Sequence, residues 1–519
     1  MVSNTNNSKN GCEILIQAAV PEIYRVNAFR ISGLNVNSST REITSQLRKN
    51  QMFEKYGDVS VKNDSPFPIV PSPDNDQIRL ALHRLRDPET RLIDEFFWFW
   101  PHSFDSANTD KALEFLSKND IKSAENIWIK EEATLTESNV SKHNLAILSH
   151  LQALDYELNG QGITNSKLEE YWENAFKRWK VLFDHEGFWS RLTARVREMD
   201  DPRLTTGFIK RLRESLPSAI LQINVKIALN AAEKGDIAKA NRHIQFVNES
   251  GFGSDVGLRA INKVIEPVRN RIKIICKRFN DVPYTNPQTE LNAGKKIIEE
   301  TKTALKILDI LLPDKSPIRE GAHDEIGLTA LGFIIAYSNK TEDDLEDALK
   351  ILEDIKSIVL GESAVSRVSQ NYDIIKKNYD SKRIYNTCFF CKTNKPNGKS
   401  SIEQPMHGEI EKQLLYNSIT WRHLTVKVPR CEQCKKEHQK EDTIITLGVI
   451  ASIILGILFA SLFSSFWVFV ILATIGIVMS IRLGIKSNKT AGRSTFKQFP
   501  EIKELLARGW TWGASPPQN

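Results

Sequence analysis

The sequence predicts a mostly α protein with a small β ribbon and a paired membrane helix. Three observations carry that prediction. Residues 104–375 follow helical spacing with few strand signals. Two C-x-x-C pairs, Cys388/Cys391 and Cys431/Cys434, enclose the strand-like segment "LTVKVPR". The 39 residues from Thr443 to Ile481 contain no charged side chain.

The chain has 519 residues, 41% hydrophobic and 26% charged, enough apolar mass for several folded domains of about 100–200 residues each. A net charge of +6 on 70 basic and 64 acidic residues is too even to argue for nucleic acid, and no specific nucleic-acid partner is expected. Residues 1–20 read as a flexible lead. They hold no basic stretch followed by an apolar run, so a cleaved signal peptide is not expected. Of six cysteines, four form the two pairs, and Cys12 and Cys276 stand alone. That pattern is not a disulfide framework and fits a reducing compartment.

Residues 21–103 read as a small helical domain. Ser39 and Glu42 form an S-x-x-E capping box that opens a helix. A Pro-rich loop, "SPFPIVPSPDND", separates it from a further helix with Ile78, Leu82 and Leu85 on one face. "FRISGLNVNSSTREI" and "LHRLRDPETRLID" resemble the helix boundaries and the "LSDPEKRxxYD" segment of J domains, the DnaJ-type co-chaperone family. The resemblance covers about residues 21–103 and implies the J fold. The family's His-Pro-Asp loop, which stimulates the ATPase of a DnaK-type chaperone, is replaced by Ser72-Pro73-Asp74. The basic docking helix is reduced to Arg41, Arg48, Lys49 and Lys55. The resemblance therefore implies the fold without the chaperone stimulation; an unrelated small helical domain is the alternative. The cluster "FFWFWP", Phe96 to Pro101, is either a partner patch or the seam onto the next domain, and the energetics of buried rings favour the seam.

Residues 104–375 form the next domain. "FLSKNDIKSAENIW" and "NAAEKGDIAKANRHI" share N/G-D-I-x-x-A, a turn opening a helix with a small residue at its seam, and "TEDDLEDALKILEDI" places Leu345, Ala348, Leu349 and Leu352 together. The stretch resembles tetratricopeptide (TPR-like) helix pairs, without a strict 34-residue period. Such pairs stack into a concave surface for protein partners; an ordinary helical domain without a groove is equally compatible. Trp172, Phe176 and Trp179 recur at core spacing, which argues for a packed helix over a nucleic-acid site. His185-Glu186 lacks the second histidine of a zincin motif, and "GFGSDVG" reads as a loop.

Residues 376–442 carry C-x2-C-x39-C-x2-C. Each pair lets two thiolates reach one ion, and four thiolates favour a closed structural Zn(2+) site on Cys388, Cys391, Cys431 and Cys434. A redox dithiol would sit in a βαβ pattern, which is lacking. His407, His423 and His438 lie nearby, as replacement ligands or as surface residues.

As one helix, the uncharged 39 residues would be about 58 Å long, against a ~30 Å hydrocarbon core. "SLFSS" suits a turn, so residues 443–485 read as a hairpin of helices Thr443–Ala460 and Phe466–Ile485. Arg482, Lys486, Lys489, Arg493 and Lys497 follow it, which places both termini on the cytoplasmic side of a multi-pass protein. Residues 486–519 are a basic, aromatic tail with a helix from Pro500 and with Trp510 and Trp512 at the membrane interface or over the ribbon.

No catalytic constellation emerges. The expected function is a membrane-anchored cytoplasmic interaction protein that is not an enzyme, binding protein partners through J-like and helical-repeat modules. The alternatives are an active DnaK-type co-chaperone at the membrane and, third, a zinc or thiol enzyme.

Overall fold

The computed structural model describes all residues except 1–10, 57–66, 105–109, 135–137, 160–163, 282–285, 342–344, 414–417, 464–465, 488–490 and 517–519. It is mostly helical with one three-stranded sheet. Two compact units emerge. One takes Met1–Pro283, Asn292–Ala330 and Ile358–Ala364, and the other takes Tyr284–Leu291, Leu331–Ser357 and Val365–Asn519.

The helices begin with α1 (Gly11–Ala18), α2 (Ala28–Ser32), α3 (Thr40–Tyr56), α4 (Asn75–Arg84) and α5 (Pro88–Phe96). There follow α6 (Lys111–Ser117), α7 (Ile121–Glu132), α8 (Ser138–Asn159), α9 (Asn165–Phe183) and α10 (Glu186–Met199). Next come α11 (Thr206–Glu233), α12 (Ile237–Glu249), α13 (Ser254–Asn280), α14 (Pro287–Leu311), α15 (Pro317–Lys340), α16 (Glu346–Ile358) and α17 (Glu362–Asn386). Strands β1 (Ile402–Gln413) and β2 (Ser418–Val428) precede α18 (Glu432–Phe463), α19 (Phe466–Ser487), α20 (Pro500–Ala507) and the short β3 (Thr511–Trp512).

Local signals set the helix starts in the first unit. Glu42 accepts from the Ser39 N–H at 2.7 Å while Ser39 Oγ accepts from the Glu42 N–H at 3.3 Å, the expected capping box of α3. Asp74 caps α4 through the Gln77 N–H at 2.7 Å, so the acidic residue of the Ser-Pro-Asp loop serves as a helix cap. Asp87 caps α5 with Pro88 in its first turn.

The aromatic run is core. Phe96 to Trp100 are all buried. Phe96 stacks on Trp179 and Trp189 at 5.9 and 6.3 Å, and the Trp100 backbone exchanges two 2.8 Å hydrogen bonds with the Asn144 side chain. Glu95 has no exposed surface and pairs with Arg91 at 2.8 Å and Arg195 at 3.0 Å. Residues 21–103 thus share one core with α8–α10. The sequence boundary near residue 103 marks no break in packing, because the rings there are its centre.

The repeated motif is a repeated turn. Asn119 and Gly235 both take left-handed backbone, φ 61° and 81°. Asp120 and Asp236 then cap α7 and α12 through the Ser123 and Lys239 N–H groups, and Ala124 and Ala240 are fully buried. The reverse hydrogen bonds match as well: Asp120 N–H to Phe115 O and Asp236 N–H to Ala231 O, both 2.9 Å. Trp172, Phe176 and Trp179 lie in the core, His185 caps α10 through the Phe188 N–H at 3.2 Å, and Gly251 and Gly253 form a turn between α12 and α13. Of the third echo, residues 342–344 lie outside the described residues, while Leu345, Ala348, Leu349 and Leu352 are buried.

This core should be acid-labile. His143 and His150 are buried, and burial lowers them to about 4 and about 3. They stay neutral in the fold while the unfolded chain protonates below about 6.5. Their stability contribution is complete above that pH and is lost as pH falls towards 3–4, at up to ~1.4 kcal/mol per pH unit each. Asp94 opposes them in part: burial raises its carboxyl to about 7 despite the pair with Arg84 at 2.8 Å, so its contribution declines as pH rises from about 4 to 7. Thermal melts between pH 7.5 and 4.5 should show a falling midpoint. Asp94→Asn should steepen that fall; an unchanged midpoint would contradict the assignment.

Candidate metal centre

The first cysteine pair follows α17. The Cys388 N–H donates to Asn394 O at 2.9 Å and the Lys392 N–H to Cys388 O at 2.8 Å, curling the chain into a knuckle. Backbone bonds stitch it to the second pair: Phe389 N–H to Pro429 O at 2.9 Å and Asn397 N–H to Arg430 O at 3.1 Å. The second pair opens α18. Cys431 Sγ accepts from the Cys434 N–H at 3.4 Å, as a capping side chain does, and Cys434 occupies the first turn.

These turns gather four sulfurs within 4.8 Å of one another, with Cys391 and Cys431 Sγ 3.9 Å apart and none joined in a disulfide. Four sulfurs about 2.3 Å from a tetrahedral ion sit roughly 3.8 Å apart, so the cluster could hold a metal ion. Burial pushes the Cys388 thiol up, and burial with the adjoining sulfurs pushes Cys434 up. Burial acts on Cys391 too, but hydrogen bonds from the Thr393 side chain and the Asn394 and Thr393 N–H groups outweigh it and bring it to about 6. Four ionised sulfurs cannot crowd together without a cation, and a divalent ion would remove the conflict. Cys276 is buried in the other unit, and burial raises its thiol to about 11.

The cluster lies in a core of Phe390, Met406, Val426, Val428, Phe499 and Ile502. β1 pairs antiparallel with β2, from Ile402↔Val428 to His407↔His423 and beyond, and with β3 at Met406↔Trp512. α20 contributes Phe499, Ile502 and Leu505. Residues 376–442 and 486–519, set apart in the sequence, therefore build one sheet and one core. Trp510 lies on Gly408, where a Cβ would come within 2.5 Å of the ring, and Trp421 Nε1 donates to Ala514 O at 3.0 Å. Gly408→Val should displace Trp510 and unpair β3; the checks are a shift in tryptophan emission and faster amide exchange at Thr511 and Trp512.

The three histidines are not ligands here. His423 is exposed, as a surface residue would be. His407 and His438 are instead buried. His407 bonds Gly513 O at 3.0 Å and Thr511 Oγ1 at 2.8 Å. His438 bonds Arg430 Nη1 at 3.1 Å and Ala491 O at 3.0 Å, so both of its nitrogens are occupied. Its edge-on contact with Phe390 and the 2.6 Å Arg493–Asp442 pair tie the first turns of α18 to the chain after α19.

No protein family, curated protein or solved structure matches this chain.

The apolar segment grows out of the centre without a linker. α18 runs unbroken for 32 residues from Glu432 to Phe463, because "KKEHQKED" consists largely of good helix formers. Within it, Glu432–Phe459 is long and apolar enough to cross a membrane by length and composition, and little of its apolar window is buried. Among the described residues the apolar stretch of α19 is Val470–Leu483, shorter than a span, so the expected second crossing is not shown. α18 and α19 nevertheless pack closely: a Cβ on Gly448 would strike Ser480, and one on Gly476 would strike Ser452. Both contacts sum to the same register, as an antiparallel pair requires. Residues 464–465 of the expected "SLFSS" turn lie outside the described residues.

Proposed function

We propose that this protein is a membrane-anchored adapter: a zinc-stapled ribbon orients a membrane hairpin, and the helical region binds protein partners on the cytoplasmic side. The observation that carries the reading is the continuity of α18, whose first turn holds Cys434 and whose later turns form the apolar span. Four soft sulfur donors at tetrahedral spacing favour zinc and leave no open position, which supports a structural rather than catalytic ion. Cys388, Cys391, Cys431 and Cys434 would hold it, and its chemistry is that of a crosslink.

The hairpin reading is supported by the Gly448/Ser480 and Ser452/Gly476 contacts, since small residues let membrane helices approach closely. The basic residues after α19 favour both ends on the cytoplasmic side. A Ser452→Cys/Gly476→Cys variant should crosslink rapidly in membranes, and protease should reach both termini from the same side. Opposite accessibility of the termini would rule the hairpin out.

Partner binding is supported by an open groove of about 700 Å³ between α16 and α17, lined by Leu349, Tyr372, Tyr379, Lys376 and Arg383. Lys350, Lys382, Glu346 and Glu353 line it as well, so four basic residues against two acidic ones leave the groove net positive, which suits a peptide with acidic residues. The J-like reading of residues 21–103 remains one of fold alone, since Asp74 is engaged as a cap and serine stands at 72. Mass spectrometry of proteins retained by the detergent-solubilised full chain, with Tyr379→Ala/Arg383→Glu as comparison, tests the adapter reading. Partners should be lost with the variant. Partners held equally by both would place recognition elsewhere, and stimulation of a DnaK-type ATPase by the full chain would establish the co-chaperone alternative.

A further inference from the structure

We propose that the outward face of α13 is a second membrane contact, one that docks on an anionic lipid surface. The inference rests on the membrane reading above. α13 spans 27 residues, about 40 Å, and carries seven basic against two acidic side chains. The whole chain has a net charge of only +6, so this one helix holds most of the excess.

The buried stripe Ile261, Ile265, Val268, Ile272 and Ile275 fixes which face looks outward. On that face Arg259 and Lys263 pair with Asp255 and Glu266, and Arg278 pairs with Glu300. Arg269, Arg271, Lys273 and Lys277 have no ion-pair partner among the described residues. Ile274 stands among them 68% exposed, and Leu258 farther along is 44% exposed. A solvated helix face tolerates one exposed isoleucine; what marks this one is its place among four cations that have no acidic partner among the described residues. A bilayer surface accounts for both: cations meet lipid phosphates while the apolar side chain enters the headgroup boundary.

Two further features support lipid. A recess of about 470 Å³ beside α13 is lined by Arg259, Lys263 and Arg269 together with Ser218, Gln222 and the single carboxylate of Glu266, so its lining is net positive and accessible to an anionic headgroup. Single-stranded nucleic acid would call for exposed rings, and the one aromatic residue of α13, Phe279, is buried. Anchoring by α18 raises the local lipid concentration, so contacts too weak to hold a free protein suffice.

The test places the full chain in nanodiscs of phosphatidylcholine alone or with phosphatidylserine. Lysine acetylation rates are then read by mass spectrometry. Lys263, Lys273 and Lys277 should react several-fold more slowly in the anionic discs, while Lys122 and Lys177 react equally in both. Salt should erase the difference. Arg271→Glu/Ile274→Asp should remove the protection without releasing the chain from the discs. Equal rates in both discs, with the chain still embedded, would overturn this inference and leave the membrane reading intact. A chain that carbonate strips from the discs would overturn both. Protection by an added polynucleotide or acidic protein, with none from phosphatidylserine, would overturn the lipid assignment in favour of that partner.

Discussion

Cys434→Ser is expected to empty the metal centre and unfold the ribbon. The full chain should purify with one equivalent of zinc, and the variant with a small fraction of that. Structural zinc supplies about 10–16 kcal/mol of apparent binding energy in small sites, more than a ribbon core of this size can replace. The loss should spread in two directions. α20 and β3 pack on the same core as the sulfurs, so the tail should loosen. Cys431 caps α18 and Cys434 lies in its first turn, so the base of this long apolar helix should fray. Limited trypsin digestion should open the exposed Lys392, Lys395 and Lys399 sites in the variant and in chelator-treated wild type alike. Cys276→Ser, in the other unit, should leave zinc content unchanged. A Cys434→Ser protein that keeps its metal and its protease resistance would refute the structural role.

Glu95→Ala is expected to be the most damaging single change in the first unit, at about 3–5 kcal/mol. Glu95 is fully buried and holds two guanidinium groups, Arg91 at 2.8 Å and Arg195 at 3.0 Å. Removing it leaves Arg91 without its acidic partner and Arg195 with only the 3.4 Å pair to the exposed Glu198, beside the aromatic core. Denaturant melts of the full chain in detergent, followed by tryptophan fluorescence, should show the midpoint fall sharply. Arg195→Met in the same background should recover part of the loss by removing one of these charges. The exposed Glu114–Lys118 pair is the contrast: Glu114→Ala should leave the midpoint nearly unchanged, because water already solvates both partners. Equal effects at Glu95 and Glu114 would contradict the burial argument.

Local chemistry made several elements legible from the sequence. The Ser39–Glu42 capping box, the N/G-D-I-x-x-A turns, the Asp87-Pro88 helix start and the two cysteine knuckles each depend on residues a few positions apart. The roles of His407 and His438 were not legible, because their partners Gly513 and Ala491 lie 106 and 53 residues away.

The sequence by itself determined the helical class, the four sulfur donors and the apolar run, since each is a matter of composition, short spacing or period. Only the tertiary structure decided how these parts join. It placed residues 21–103 in one core with α8–α10, because the rings of Phe96 to Trp100 find their partners tens of residues downstream. It returned the tail after the apolar segment to the sheet that precedes it, through the Met406↔Trp512 pairing. It ran one helix from the metal centre into the apolar segment, where the shift from charged to apolar residues had marked a boundary. The physical reason is common to all three: side-chain pattern sets which face is buried, but long-range pairing and packing choose what buries it.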